Sequence, residues 1–516
     1  MKKRTVYLVG AGPGDVGLTT VRGLELIKKA DCIIYDYLVS PGLLGFRKDG
    51  CKLIYAGKKA GSHTLTQDKI NRLLVKEAKV YPNVVRLKGG DPFIFGRGAE
   101  EAAYLKKKKI DFEIVPGISS AIAVPAYAGI PLTERSKNST VGFITGHEDP
   151  AKIDSSIDWP ALVRAIGTMV FLMGVGNLGL IVKRLIDNGK PKNTPVALIR
   201  WGTTAKQKTV TGTLGNIVDL ARKNKITPPA IIVIGQTVKL RKELNWFEKK
   251  PLFAKRIIVT RTREQASLLS EKLAESGAEV IEIPTIKVVS QKADKRLKNA
   301  FSAGKYDWVF FTSQNGVYEF AEFLKREGKD SRIFGKAKIC AIGSETAKSL
   351  HTIGVRPDYL PSQFIAEAVV KHFKNIEFKG PVAPKALILR AKKARDILPK
   401  GLKEAGFEVK IIDLYDTVLP KESVAALKQA FKDKVDFITF TSSSTVENFI
   451  KLMGKGYKHK LSGVKFASIG PITSSTLKEY GLKAGVEAKV YTIEGLVKAM
   501  VNPVRKRGFS NGASND

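Results

Sequence analysis

Cysteine is scarce in this chain, with three in 516 residues. Cys32, Cys51 and Cys340 show no C-x-x-C spacing, which excludes a disulfide framework and a cysteine zinc site. Cys32 and Cys340 fall inside apolar strand patterns and read as buried thiols; the odd, sparse count fits a reducing, cytoplasmic setting. Histidine is also rare, five in all and none paired at metal-ligand spacing, so no metal is expected. His147, in TGH, reads as a hydrogen-bonding loop residue. No uncharged apolar run is long enough to cross a bilayer, and the basic start MKKRTVYLVGAGPGD leads straight into a strand instead of a signal peptide; no membrane partner is expected.

Acidic residues are the other shortage. Against 87 Lys and Arg stand 49 Asp and Glu, a formal net charge of +38. So basic a chain invites a nucleic-acid reading. It lacks zinc spacing, a recognition motif and any interleaving of aromatic with basic residues, and no nucleic-acid partner is expected. Lysines scattered through helical patterns, as at Lys106 to Lys109, form a solvated surface. Their summed field would favour capture of acidic small molecules.

What the chain does have is glycine in telling places. GAGPGD (Gly10 to Asp15) and LKGGDPFIFGRG (Leu87 to Gly98) each follow a short apolar run that reads as a buried parallel strand, VYLV and NVVRL. Glycine at the carboxyl end of such a strand lets backbone amides approach a ligand that a side chain would exclude. The first loop departs from the dinucleotide fingerprint, with Asp15 where the third glycine belongs and Pro13 between. Other apolar runs end alike: DCIIY in Asp36, KLIYA in Gly57 and Lys58, VGFI in Thr145, MVFL in Met173, VALIR in Trp201 and Gly202, AIIVI in Gly235. Polar or glycine tips on so many strands of one α/β region imply a small-molecule cleft.

The strings VYLVGAGPGD, IYDYLV, VVRLKGGDPFIFGRGAEE, PGISSA, GIPLT and TGH occur in an order that resembles the uroporphyrinogen-III C-methyltransferases, over about residues 1–245. The resemblance implies a class III tetrapyrrole methylase of two α/β subdomains, S-adenosylmethionine as cofactor without metal, and a homodimer formed through this half. Carried across by motif, the cofactor contacts implied are Pro13, Gly89, Gly90, Asp91 and Ile94 in the glycine loops. Ser119, Ser120, Met173, Gly202 and Ala230 complete them.

A methyl sulfonium is already a strong electrophile, so the protein has to align donor and acceptor and to manage protons at the carbon methylated. Asp36 and Lys58, each at a strand end, match the general base and general acid the family implies. Taken alone, Asp36 would be a helix cap or loop carboxylate and Lys58 a solvated lysine.

At this length two or more domains are expected. LRKELNWFEKKPLFAK (Leu240 to Lys255) reads as the boundary, with 246–254 as linker, although Trp246 and Phe247 call for packing against a neighbour. Beyond it the sequence repeats itself at one constant offset: Arg261 with Arg390, Gly277 with Gly406, Asp307 with Asp436. CAIGSETAKSLHTIGV is matched again by ASIGPITSSTLKEYGL. Two copies of this length read as a duplicated α/β unit with two lobes and a cleft. Its strands end in Thr312-Ser313 and Thr441-Ser442 before helical patterns, where hydroxyls and free amides bind carboxylates or simply cap the helices.

FTSSSTV, SIGPITSSTL and IIDLYDTV, in that layout, resemble the uroporphyrinogen-III synthases over about residues 255–500. The resemblance implies one lobe from 255–286 with 417–500 and another from 288–414, crossing near Ile286 and Tyr415. It implies Tyr415 as a catalytic residue beside the substrate, with Ser442 and Thr473 as further contacts; Ser313 is added from the repeat. A hinge residue burying its ring is the plain alternative for Tyr415. RKRGFSNGASND, within 501–516, lacks apolar periodicity and reads as a disordered tail. The expectation is therefore a bifunctional enzyme of tetrapyrrole biosynthesis. Its second half would cyclise hydroxymethylbilane, and its first would methylate the product twice. The alternatives are a class III methyltransferase of another substrate, a later corrinoid or RNA, fused to a carboxylate-binding module, and a basic binding protein without catalysis.

Overall fold

The computed structural model describes residues 4–57, 65–147, 156–260, 263–303, 306–363, 365–376 and 382–508. The chain divides into two compact units. One is built on residues up to Ile257 with Glu271–Val280 and the end of the chain from Met500; the other on Ile258–Ser270 and Ile281–Ala499.

The first unit opens with β1 (Thr5–Gly10), β2 (Cys32–Tyr35), β3 (Lys52–Tyr55), β4 (Asn83–Lys88) and β5 (Asp111–Val115). They form an all-parallel sheet in the order β3-β2-β4-β1-β5. Apolar residues fill both faces, which is why these strands read as unbroken runs. Val6, Leu8, Cys32, Ile34 and Val84 pack with Ile70, Leu74 and Leu105. Val9, Ile33, Val85 and Leu87 pack with Leu26 and Ile27 on the other side. Each Val, Leu or Ile so buried is worth about 1.5–3 kcal/mol. Because β1 and β4 are neighbours, the two glycine loops leave adjacent strand ends.

A second sheet of this unit contains β6 (Val141–Thr145), β7 (Thr168–Leu172), β8 (Pro195–Arg200), β9 (Lys208–Thr213) and β10 (Ala230–Ile234). Its order is β6-β7-β10-β8-β9. β10 runs antiparallel to both β7 and β8. This corrects one expectation: Gly235, grouped above with the ligand-side strand tips, lies at the opposite end, against Gly167 and Thr168. The ligand-side residue of β10 is its first, Ala230, paired with Arg200. A strand buried on both faces carries no signal of direction.

The stretch expected as a linker is packed. The rings of Trp246 and Phe247 lie 5.0 and 4.8 Å from that of Tyr127, and Trp246 Nε1 donates to the Ala126 carbonyl at 3.0 Å.

The second half of the chain adds β11 (Arg256–Val259), β12 (Glu279–Glu282), β13 (Lys287–Ser290), β14 (Trp308–Phe311), β15 (Lys338–Ala341), β16 (Lys385–Ala391), β17 (Glu408–Val418), β18 (Phe437–Phe440), β19 (Lys465–Ser468) and β20 (Ala484–Glu487). Two sheets result, β12-β11-β18-β19-β20 and β13-β17-β16-β14-β15. The sequence repeat explains both. β11, β12, β14 and β15 of the first copy correspond to β16, β17, β18 and β19 of the second. Each sheet takes two strands from either copy, and the orders β12-β11-β18-β19 and β17-β16-β14-β15 then match position for position. Arg261 lies outside the described residues.

Tyr415 sits inside β17, paired with Ser290, and the strand runs on to Val418 before the chain enters the other sheet at β18. The tail also differs from its expectation, because the last helix spans Ile493–Gly508. Leu496 and Met500 are buried, and the helix they anchor continues past residue 500; residues 509–516 lie outside the described residues.

Candidate active sites

The two glycine loops of the first unit bond to each other. Gly90 N donates to the Gly12 carbonyl at 2.8 Å, and Gly12 N to the Gly90 carbonyl at 3.2 Å. Their backbones approach as only glycines can: a Cβ on Gly10 would lie 2.5 Å from Gly117 Cα, and one on Gly117 would lie 2.4 Å from the Gly90 carbonyl oxygen. Gly90 itself has φ +69°, and a Cβ there would point into the space before Ser119 and Ser120. Asp91 closes the loop. Its Oδ1 accepts from the amides of Phe93 (2.7 Å) and Ile94 (3.1 Å), and its Oδ2 from Gly117 N at 2.9 Å. Its carboxylate therefore shapes the loop. Ser119 caps the helix Ser120–Tyr127, accepting from Ala121 N at 3.2 Å.

The first loop also reaches the second sheet. Asp15 N donates to Thr203 Oγ1 at 3.2 Å, and the Tyr127 hydroxyl donates to Asp15 Oδ2 at 2.7 Å. Burial, then this bond, pushes the Tyr127 phenol well above its ordinary range. Pro13 and Gly14 thus face the segment after β8, where a Cβ on Gly202 would lie 2.3 Å from Val124. Trp201, Thr203 and Met173 all hold positive φ, 50°, 67° and 57°, uncommon for residues with side chains and often found where a site constrains the backbone. Met173 and Ile94 keep exposed side chains. The β-ladder sets Ala230 beside the ends of β7 and β8, and so near Met173 and Trp201. The candidate cofactor residues thus lie at two groups of strand ends, which Asp15, Thr203 and Tyr127 tie together, with the apolar side chains of Met173 and Ile94 exposed. Glycine backbone with apolar flanks suits a nucleoside-bearing ligand.

Asp36 follows β2, next to this cleft: its amide donates to the Leu87 carbonyl at 3.3 Å, and a Cβ on Gly89 would meet Leu38 at 2.9 Å. Its Oδ1 pairs with Arg86 Nη2 at 2.6 Å. Lys58 lies outside the described residues. Arg86, Lys88 and Glu101 lie in the string VVRLKGGDPFIFGRGAEE, which by itself assigns them no role. The available signal was a pair of cations at i and i+2 in an otherwise apolar strand, since such charges must find partners if buried.

In the second unit Ser313 caps the helix Gln314–Glu327, accepting from Gly316 N at 3.1 Å, and its Oγ meets the Tyr415 hydroxyl at 2.8 Å. Tyr415 is buried, and that burial raises its pKa against the opposing pull of Ser313 and Asn315. Ser442, in the other sheet's lobe, caps the helix Ser443–Met453 in a reciprocal capping box with Thr445. Thr473 is 4% exposed, on the packed face of the helix Pro471–Glu479 with Thr476 and Leu477, while Ile472 beside it is 78% exposed. Hydroxyl-rich sequence does not disclose which face of a short helix is turned inward.

Residues 5–218 match the family of tetrapyrrole (corrin/porphyrin) methylases, and residues 267–498 the family of uroporphyrinogen-III synthase HemD. Over 507 residues the chain is 36% identical to a porphyrin biosynthesis protein HemD of Ruminiclostridium josui, spanning 97% of this chain and 98% of that one. It is 53% identical over 235 residues to an S-adenosyl-L-methionine-dependent uroporphyrinogen III methyltransferase of Methanosarcina barkeri, covering 46% of this chain and 92% of that protein. Among solved structures, the uroporphyrin-III C-methyl transferase of Thermus thermophilus complexed with S-adenyl homocysteine is 35% identical, covers 46% of this chain and 99% of its own, and superposes with a TM-score of 0.40.

Proposed function

The chain belongs to the family of porphyrin biosynthesis proteins that join a tetrapyrrole methylase to a uroporphyrinogen-III synthase, and from that premise we propose that it performs two consecutive reactions. The second half cyclises hydroxymethylbilane to uroporphyrinogen III, inverting the last ring. The first half methylates that product twice to precorrin-2, on the branch toward sirohaem or cobalamin. The observation that supports the reading is the mutual bridge of Gly12 and Gly90 beside Gly117, which brings the two glycine loops together at adjacent strand ends.

S-adenosylmethionine, when bound, supplies the methyl group. Pro13, Gly89, Gly90 and the backbone of Asp91 would hold it on one side, with Ile94, Ser119 and Ser120. Met173, Gly202 and Ala230 would hold it on the other. Asp36, anchored by Arg86, would take up the proton that the tetrapyrrole releases on methylation. Lys58 would act as general acid. In the synthase half, the phenol of Tyr415, kept neutral by burial, would donate to the departing hydroxyl of hydroxymethylbilane, while amides and hydroxyls at the helix starts near Ser313 and Ser442 hold carboxylates. Ring inversion is then mainly a matter of orientation. The reading includes a homodimer through the methyltransferase half, which light scattering would test, and a cytoplasmic setting. Among the described residues no helix is long and apolar enough to cross a membrane.

The test is one incubation of the full chain with hydroxymethylbilane and S-adenosylmethionine. Type III product carrying two added methyl groups by mass supports both reactions. Type I product alone would remove the synthase assignment, and unmethylated type III product the methyltransferase one.

A further inference from the structure

Behind Asp36 lies a set of charges that the reaction as described does not use. β4 carries Arg86 and Lys88 two residues apart, on one face of the strand. Both are nearly inaccessible to solvent and both reach Glu101, fully buried on the helix Gly98–Lys107. A single oxygen of Glu101, Oε1, accepts from Lys88 Nζ at 2.9 Å, Arg86 Nε at 3.2 Å and Gln67 Nε2 at 3.2 Å. The other, Oε2, is buried with no hydrogen-bond partner among the described residues. Two cations against one anion leave an excess positive charge inside; Asp36, on Arg86 Nη2 at 2.6 Å, supplies a counter-charge, while Arg86 Nη1 donates to the Ile34 and Leu87 carbonyls at 3.5 and 3.4 Å.

That arrangement is unusual for an arginine. A guanidinium beside a carboxylate prefers to engage both oxygens with two parallel N–H groups, and the vacant Oε2 offers that option. The Lys88 ammonium stands against it by drawing Oε1 to itself. We propose that Lys88 and Glu101 are positioning residues for the methyl transfer: by sharing Oε1, Lys88 keeps Arg86 from turning its whole fork onto Glu101 and so leaves Nη2 to hold Asp36 at the cleft. The inference rests on Asp36 handling the proton.

A second observation agrees. Burial, with Arg86 adding to it, holds the Lys88 ammonium below the usual lysine range, against the opposing pull of Glu101 and Asp36. The charged groups facing it are Arg86 on its own strand, Glu100 and Glu101 on the helix, and Asp36 after β2; Gln67, tied to Asn71, is neutral. As pH rises through that lowered value the ammonium is lost, the fork is released, and methylation should fall on the alkaline side. An arginine in its place would not deprotonate.

The test uses the full chain, with uroporphyrinogen III and S-adenosylmethionine. Lys88→Met should lower kcat about 10- to 100-fold, the scale of a misplaced catalytic group, with S-adenosylmethionine affinity by calorimetry unchanged. Lys88→Arg should recover most of the neutral-pH rate and carry the alkaline fall to higher pH. A Lys88→Met enzyme with wild-type kcat overturns the proposal, as does a Lys88→Arg enzyme whose alkaline fall coincides with wild type. Should Lys88→Met not fold, the Lys88→Arg pH profile decides by itself. Asp36→Asn, measured alongside, separates the two readings: full activity there removes the role of Asp36, whereas a slow Asp36→Asn beside a fully active Lys88→Met removes only that of Lys88.

Discussion

Ser313 Oγ and the Tyr415 hydroxyl lie 2.8 Å apart, tying the start of one helix to the middle of β17. Ser313 serves two ends at once, because the same oxygen accepts from Gly316 N at 3.1 Å. The two residues can therefore be told apart by substitution. Tyr415→Phe keeps the ring packed and removes only the hydroxyl, so formation of the type III isomer should slow about tenfold, with a loss of stability no greater than one hydrogen bond of about 0.5–1.5 kcal/mol. Ser313→Ala should slow it too, and should also lower stability by about 1 kcal/mol through loss of the cap. Isomer chromatography with thermal melts gives both readings. Equal melting temperatures for the two variants would contradict the capping part of the account.

Gly90 is a position where backbone conformation and space act together. Its φ of +69° disfavours any side chain, and a Cβ there would lie 3.7 Å from Ser120 N and 3.9 Å from Ser119 Cα, so a longer side chain would extend along those two candidate contacts. Gly90→Leu should therefore abolish S-adenosylmethionine binding in calorimetry while leaving a folded chain, with a strain of about 1–3 kcal/mol. Unaltered affinity would take the glycine out of the site.

Asp36→Asn keeps the shape of the side chain and removes its charge from Arg86 Nη2. Cofactor affinity should be retained, and methyl transfer should fall by about two to four orders of magnitude, the range for a general acid–base group. Single-turnover kinetics with uroporphyrinogen III would measure it. A rate within twofold of wild type would return Asp36 to an ordinary loop carboxylate.

These predictions also mark what sequence could carry. The glycine loops were legible because the second one combines glycine, Asp91 and Pro92 in a string with no ordinary structural use, and their pairing through Gly12 and Gly90 follows from adjacent strands. The duplication was legible through Asp307 and Asp436, and it fixed the matching order of two sheets. The direction of β10 was not, since AIIVI is apolar on both faces, so Gly235 was placed at the wrong end. The burial of Thr473 was hidden for a related reason: hydroxyl content says nothing of which face packs, and Leu477 one turn on is what draws that face inward. Arg86, Lys88 and Glu101 were in view as letters, but their pairing is a tertiary fact.

The supposed linker supplies the last prediction. Trp246 and Phe247 pack on Tyr127, and Tyr127 in turn holds Asp15 at 2.7 Å, while Asp15 N reaches Thr203 Oγ1. A residue far along the chain thus supports the first glycine loop through one phenol. Tyr127→Phe deletes the hydrogen bond to a carboxylate, an interaction of about 1.5–3 kcal/mol. The ring stays, so the unit should remain folded while the loop around Pro13 and Gly14 loosens, weakening S-adenosylmethionine binding about tenfold. Trp246→Ala acts one step further out. Its indole is half exposed, so the loss of its edge contact and its N–H bond to Ala126 should cost about 1 kcal/mol of stability, within the usual range for a point substitution, with a smaller change in affinity. Calorimetric titration and thermal melts of both variants give the ranking. An unchanged affinity in Tyr127→Phe, or a greater loss in Trp246→Ala than in Tyr127→Phe, would break the proposed chain of support from Trp246 through Tyr127 to Asp15.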